Sequence, residues 1–159
     1  VLRLATVYGF SPRMRLDLLV NDFVNRALRD RVLVLYEAHH RRSIVHVRDV
    51  ARAFAHVIDS YARGNVSVSW STLSAAGRVF NVAAENVTKR ELAAAIQRHV
   101  PSLQVIEAEV GEDPDKRDYA VSSDRLLATG FTFGTTLDEG VAELVRGLPM
   151  IPQHRYGNV

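Results

Sequence analysis

Apolar residues dominate the stretch "LRLATVY" at positions 2 to 8, before Gly9 and the proline-bearing "FSPRMR" interrupt the run. Such a run, bounded by a turn, predicts a strand buried on both faces that opens into a loop. From Asp17 to Arg29 the period changes. Leu18, Leu19, Phe23, Ala27 and Leu28 recur at helical spacing, with Asp17 in the first turn, where a carboxylate favours the helix dipole. "VLVLY" (32 to 36) reads as a short strand, and the apolar "SIVHV" follows two arginines. Asp49 then leads Val50, Ala53, Phe54, Val57, Ile58 and Tyr61 along one helix face, with His56 off that stripe. "RVFNVA" (78 to 83) and "LQVIEAEV" return to strand character.

Local signals place the later helices. Thr88 with Glu91, and Thr136 with Glu139, have the spacing of a capping box. A short helix from Ser123 to Thr129 ends at Gly130. Residues 64 to 77, rich in Gly, Asn, Ser and Thr, read as a surface loop, as does "GEDPDKRD". The predicted order is strand, helix, strand, helix, strand, helix, strand and two helices, which is an α/β pattern without internal repeats.

Composition narrows the class. The chain has 159 residues, 47% hydrophobic and 24% charged, enough for one domain with a substantial core and unlike disordered or collagenous chains. Twenty Lys and Arg against 18 Asp and Glu leave a formal charge of +2, which does not demand nucleic acid. The absence of cysteine removes disulfides and thiolate metal sites. No apolar run approaches the roughly 20 residues of a membrane span, so a cytoplasmic protein without a membrane partner is expected. The chain opens inside a strand and without Met, so it is expected to begin downstream of its gene's start.

Candidate chemistry centres on arginine. Arg41 and Arg42 precede the "SIVHV" strand, where a rigid guanidinium fork can grip a phosphate or simply solvate a strand end. Arg117 and Tyr119, two apart, share a face if their segment is extended, and offer a second guanidinium and a phenol. A charged surface loop is the blander alternative. His39, His40 and His46 suggest zinc, but adjacent residues on an extended chain point apart and no carboxylate completes a ligand set. No G-x-S-x-G signature supports a hydrolase. Gly130 and Gly134 follow a helix rather than a strand, so no dinucleotide-binding turn is present. An RNA-binding module acting through "HHRR" and "RYGNV" would lack an aromatic-rich motif and a concentrated basic face.

Taken in order, "LRLATVYG", "SPRM", "RSIVHVRDVARAF", "VFNVAAENVTKRELAAAI", "DKRDYAVSSDRLLATGF" and "TLDEGVAEL" resemble the C-terminal half of the NAD-dependent epimerase/dehydratase family. These are extended short-chain dehydrogenases acting on nucleotide sugars. The resemblance implies the last part of a Rossmann-like parallel sheet plus a small α/β substrate-binding domain. It implies that Leu4, Ala5, Val7 and Arg13 meet the NAD or NADP cofactor, most of which an absent N-terminal half would bind. Thr6 takes the position of a family Asn that reaches the sugar or a phosphate, and Ser11 follows Phe10 where Gly-Pro often stands. Arg42 falls on the family's diphosphate arginine, with Ser43 replacing the usual Asp. Arg117 and Tyr119 match a segment that closes over the nucleotide. Asp17 and Asn21 match the region lining the substrate pocket.

Two family features are missing from this sequence. They are the glycine-rich cofactor turn and the catalytic Tyr-x-x-x-Lys, because none of the five tyrosines has Lys four residues later. No catalytic residue is therefore assigned within the chain. The expected protein is the nucleotide-sugar-binding portion of a longer isomerase, lyase or oxidoreductase, inactive alone. Its expected partners are the missing half and, in the intact protein, a second copy. The alternative is a non-catalytic relative that binds NAD or a nucleotide sugar as a regulator.

Overall fold

The computed structural model describes residues 1–62, 79–108 and 117–151. Among these the order is β1 (Leu2–Leu4), β2 (Thr6–Tyr8), α1 (Leu19–Arg29), β3 (Val32–Tyr36), β4 (Arg41–His46) and α2 (Val47–Ala62). Then follow β5 (Phe80–Val82), β6 (Glu85–Thr88), α3 (Lys89–His99), β7 (Gln104–Ala108), α4 (Asp124–Leu127), α5 (Leu137–Gly147) and a 3-10 turn at Leu148–Met150. The α/β class and the parallel pairing expected from the sequence are both present. The predicted loop at 64 to 77 and most of "GEDPDKRD" lie outside the described residues.

The first apolar run is not one buried strand. It breaks at Ala5: β1 pairs in parallel with β5, whereas β2 pairs in parallel with β4. Each half is hydrogen-bonded to one described neighbour, so one flank is open among the described residues; Leu4 is 43% exposed, while Tyr8 is buried. β4 is the central strand of its sheet, parallel to β2 and antiparallel to β6. Alternation along β4 feeds two cores. Ile44 joins Tyr8, Val20, Val24, Leu92, Ile96, Val141 and Leu144 from β2, α1, α3 and α5. Val45 joins Val50, Phe80, Val82, Leu126 and Phe131 on the other side. A third pair, β3 with β7, is also parallel.

Four local expectations need revision. α1 begins at Leu19, with Leu18 at its N-cap, so Asp17 precedes the helix and its carboxylate binds Arg15 at 2.6 Å instead of entering the first turn. The α2 stripe is divided: Val50 and Ala53 are buried, but Phe54 and Ile58 are 47% and 63% exposed. β6 was not foreseen, because "ENVT" is short and polar and reads as a helix lead-in. Both capping boxes form, with Glu91 and Glu139 accepting from the backbones of Thr88 and Thr136. The helix ended by Gly130 is shorter than expected, and Gly130 takes φ +87°, open to glycine without strain. Among the described residues, no helix is long and apolar enough to cross a membrane.

Candidate functional site

Residues 117–123 have no regular secondary structure and are laced across β4, β5 and β6. Ser43 and Asn86, directly opposed between β4 and β6, both accept from the Val121 amide, at 3.0 and 2.9 Å. Asn86 Nδ2 returns a bond to Val121 O, and Asn81 Nδ2 reaches Ser122 O, each at 3.1 Å. At the other end Asp118 accepts from the Arg41 amide at 2.9 Å and from its guanidinium at 3.1 Å. These charge-assisted bonds hold the Asp118 carboxyl down to about 2. Ser43 thus anchors this strap from a fully buried position, and Arg41 is engaged by it.

The strap brings the separate arginines together. Arg42 is only 5% exposed; its Nη1 donates to Arg41 O at 2.9 Å and to the Arg117 carbonyl, 75 positions away. The guanidinium carbons of Arg42 and Arg117 lie 5.9 and 6.0 Å from the centroid of the Tyr119 ring. One phenol therefore serves two cations, at the outer range of cation–π attraction.

Two cavities meet at this cluster, sharing Thr6, Leu18, Arg117 and Tyr119. The larger, about 860 Å³, runs along the open flank of β1 and β2, where Leu4, Ala5, Val7, Ser11, Arg13 and Asn21 contribute to its wall. The smaller, about 470 Å³, is walled by Asp17, Phe23, Leu35, Tyr36, Arg42 and Lys89, among others. All ten residues singled out from the sequence thus line one cavity or both. Their duties differ. The Asn21 amide is engaged by the protein, accepting from Gly9 N at 3.1 Å and donating to Arg15 O at 3.0 Å, so it fixes the loop leaving β2. Lys89, not singled out from the sequence, is brought by the start of α3 to the wall of the smaller cavity that Arg42 also lines.

Behind the site the packing admits no extra atoms. A Cβ on Gly9 (φ +121°) would lie 2.5 Å from His46 Nε2, and one on Gly140 would lie 2.5 Å from Tyr8 Cε2. Burial, then Glu85 and other carboxylates, raise the Tyr8 phenol far above its ordinary value. Tyr8 stays protonated and is a wall rather than a base. His46 is fully buried, and burial lowers its pKa; its Nδ1 accepts from Arg48 N at 3.2 Å, which assigns the proton to Nε2, 3.5 Å from Glu143. Asp49, also fully buried, accepts from Gly134 N, Thr135 N and Arg52 at 2.9, 3.0 and 2.6 Å. It pins the approach to α5. His39 and His40 stack edge to face at 4.7 Å, apart from His46, and no cluster of three or more potential metal ligands occurs among the described residues.

A model of the NAD dependent epimerase/dehydratase family matches residues 1–83. Among solved structures, UDP-glucose 4-epimerase from Thermus thermophilus, in complex with NAD, is 23% identical with a TM-score of 0.67, over 93% of this chain and 45% of its own. UDP-N-acetylglucosamine 4-epimerase from Methanobrevibacter ruminantium is 19% identical with a TM-score of 0.70, over 94% and 45%. L-threonine dehydrogenase from Clostridium difficile is 14% identical with a TM-score of 0.71, over 94% and 46%. At these identities the likeness is one of fold, and this chain spans about half the length of each.

Proposed function

Because this chain belongs to the NAD dependent epimerase/dehydratase family, we propose that it is the nucleotide-sugar-binding portion of a longer epimerase or dehydratase working through a transient keto-sugar. One observation carries the reading: Arg42 and Arg117 converge on Tyr119 where the two cavities join. Two guanidiniums at such a junction suit a diphosphate, which accepts paired, charge-assisted hydrogen bonds on several oxygens. The L-threonine dehydrogenase of similar fold acts, by name, on an amino acid, so fold alone does not select the substrate. The arginine pair favours a diphosphate.

Each group then has a task. Arg42 and Arg117 hold the diphosphate, and Thr6, Asp17 and Tyr119 flank the sugar and nucleotide. Leu4, Ala5 and Val7 form an apolar wall of the larger cavity, which fits one face of a nicotinamide ring, with Arg13 toward the cofactor's charged part. When bound, NAD or NADP supplies a hydride acceptor that converts a sugar alcohol to a ketone and returns the hydride. The glycine-rich turn and the Tyr-x-x-x-Lys base would come from an N-terminal portion, so residues 1–159 alone would not turn over. A non-catalytic sensor is favoured only if the longer protein also lacks that base.

The test is Arg42→Ala in the full-length protein. Losing a desolvated charge-assisted contact of about 1.5 to 3 kcal/mol should raise the nucleotide-sugar KM at least tenfold. Arg42→Lys keeps the charge but loses the fork, and should fall between. An unchanged KM in a folded Arg42→Ala variant would sink the clamp.

A further inference from the structure

We propose that Asp118 is a positioning residue for the diphosphate site: its tie to Arg41, on the outer side of β4, fixes the strap so that Arg117 and Tyr119 stand at the cavity junction before a ligand arrives. The inference rests on the nucleotide-sugar reading above and deepens it. Asp118 Oδ1 accepts from the Arg41 amide at 2.9 Å and from its Nε at 3.1 Å, and Oδ2 accepts from Nη2 at 3.4 Å. One carboxylate therefore holds both the backbone and the fork of a single β4 residue.

Two alternations put this tie beside the site without entering it. Along β4, Arg41 is exposed and Arg42 is buried, so neighbouring arginines leave the strand on opposite sides. Along the strap, Arg117 and Tyr119 line both cavities, whereas Asp118 between them lines neither. The outer pair, Arg41 with Asp118, thus sets the register of the inner group, Arg42 with Arg117 and Tyr119, one residue away on each segment. The pair adds little to stability. Its side chains are 52% and 39% exposed, and exposed ion pairs contribute weakly. By charge alone, a carboxylate next in sequence to Arg117 works against an entering diphosphate. What it supplies is order: a strap held in advance spares the ligand the entropy of fixing Arg117 and Tyr119.

The test is calorimetric titration of the full-length protein with UDP and with inorganic pyrophosphate, comparing Asp118→Ala, Asp118→Asn, Arg41→Ala, the Asp118→Ala/Arg41→Ala double variant and Arg42→Ala. Asp118→Ala should weaken both ligands about fivefold to tenfold, because the ligand then bears the ordering. Asp118→Asn keeps an oxygen for the Arg41 amide and should fall between; Arg41→Ala spares that amide tie and should weaken both ligands about two- to threefold. With Asp118→Ala already present, Arg41→Ala should change affinity less than about twofold, since the two residues act through one tie. Charge alone gives the opposite order, with both Asp118 variants binding as tightly as the parent or more so, and that result overturns the proposal. Full additivity of Arg41→Ala also overturns it, because Arg41 would then be a direct phosphate ligand. Urea midpoints at neutral pH should stay near the parent's; affinity losses that track stability losses across the variants would reduce Asp118 to a structural tie. If Arg42→Ala weakens UDP and neither Asp118 variant does, the positioning role is wrong while the clamp survives. If neither Arg42→Ala nor Asp118→Ala moves UDP or pyrophosphate, the nucleotide-sugar reading fails as well.

Discussion

Replacing Asp49 should destabilise the protein more than any change to its visible ion-pair partner. The carboxylate is fully buried and holds the amides of Gly134 and Thr135 at 2.9 and 3.0 Å. Hydrogen bonds to a charged acceptor contribute about 1.5 to 3 kcal/mol each, and Asp49→Ala would leave two amides unpaired, for a loss of about 3 to 5 kcal/mol. Arg52 also donates at 2.6 Å, but its side chain is 49% exposed, so removing it should cost under about 1 kcal/mol. Asp49→Asn retains the shape while offering one amide a donor in place of an acceptor, and should fall near about 2 kcal/mol. Urea denaturation of the three variants measures these losses, with the slope checked for a common two-state transition. Equal losses for Asp49→Ala and Arg52→Ala would show that the ion pair, not the backbone anchor, is what matters. An Asp49→Ala loss below about 1 kcal/mol would refute the reasoning outright.

Gly140→Ala places a methyl 2.5 Å from Tyr8 Cε2 and 2.9 Å from its hydroxyl, so overpacking should cost about 1 to 3 kcal/mol and displace the end of β2. A thermal melt equal to the parent's would show that Tyr8 has room to move. Asp118 normally titrates at 3.8 and does so at about 2 in the fold, so its stabilising effect is present above pH about 4 and lost as pH falls toward 2. Urea midpoints measured from about pH 5 to about pH 2 should therefore fall less steeply for Asp118→Asn than for the parent. Parallel curves would contradict the strap's acid sensitivity.

What the sequence revealed was local. The Thr88–Glu91 and Thr136–Glu139 boxes are each complete within a single helical turn, so their spacing sufficed. β6 escaped because its four residues acquire strand geometry only by pairing with β4, which no local pattern records. The same holds for long-range anchors. Asp49 and Lys89 are ordinary in sequence and find partners 85 and 53 positions away. Phe54 and Ile58 belong to the apolar stripe by period, yet the described core covers its Val50 and Ala53 edge, with Val57 packed against it, and leaves these two exposed. Arg42 and Arg117 were linked by family resemblance alone, and the strap supplies the physical link.

That strap also sets when the site comes into being. Its ties to β4 span 75, 77 and 78 positions, whereas the capped helices close within single turns. Long-range closures are the slow part of folding, so the helices precede the site. During synthesis at about 5 to 20 residues per second, Arg42 leaves the ribosome roughly 4 to 15 s before Arg117. Through that interval there is half a site, and the proposed diphosphate would have nothing complete to bind. A ligand of this site therefore cannot nucleate the fold; it can only lock a chain whose two ends have already met.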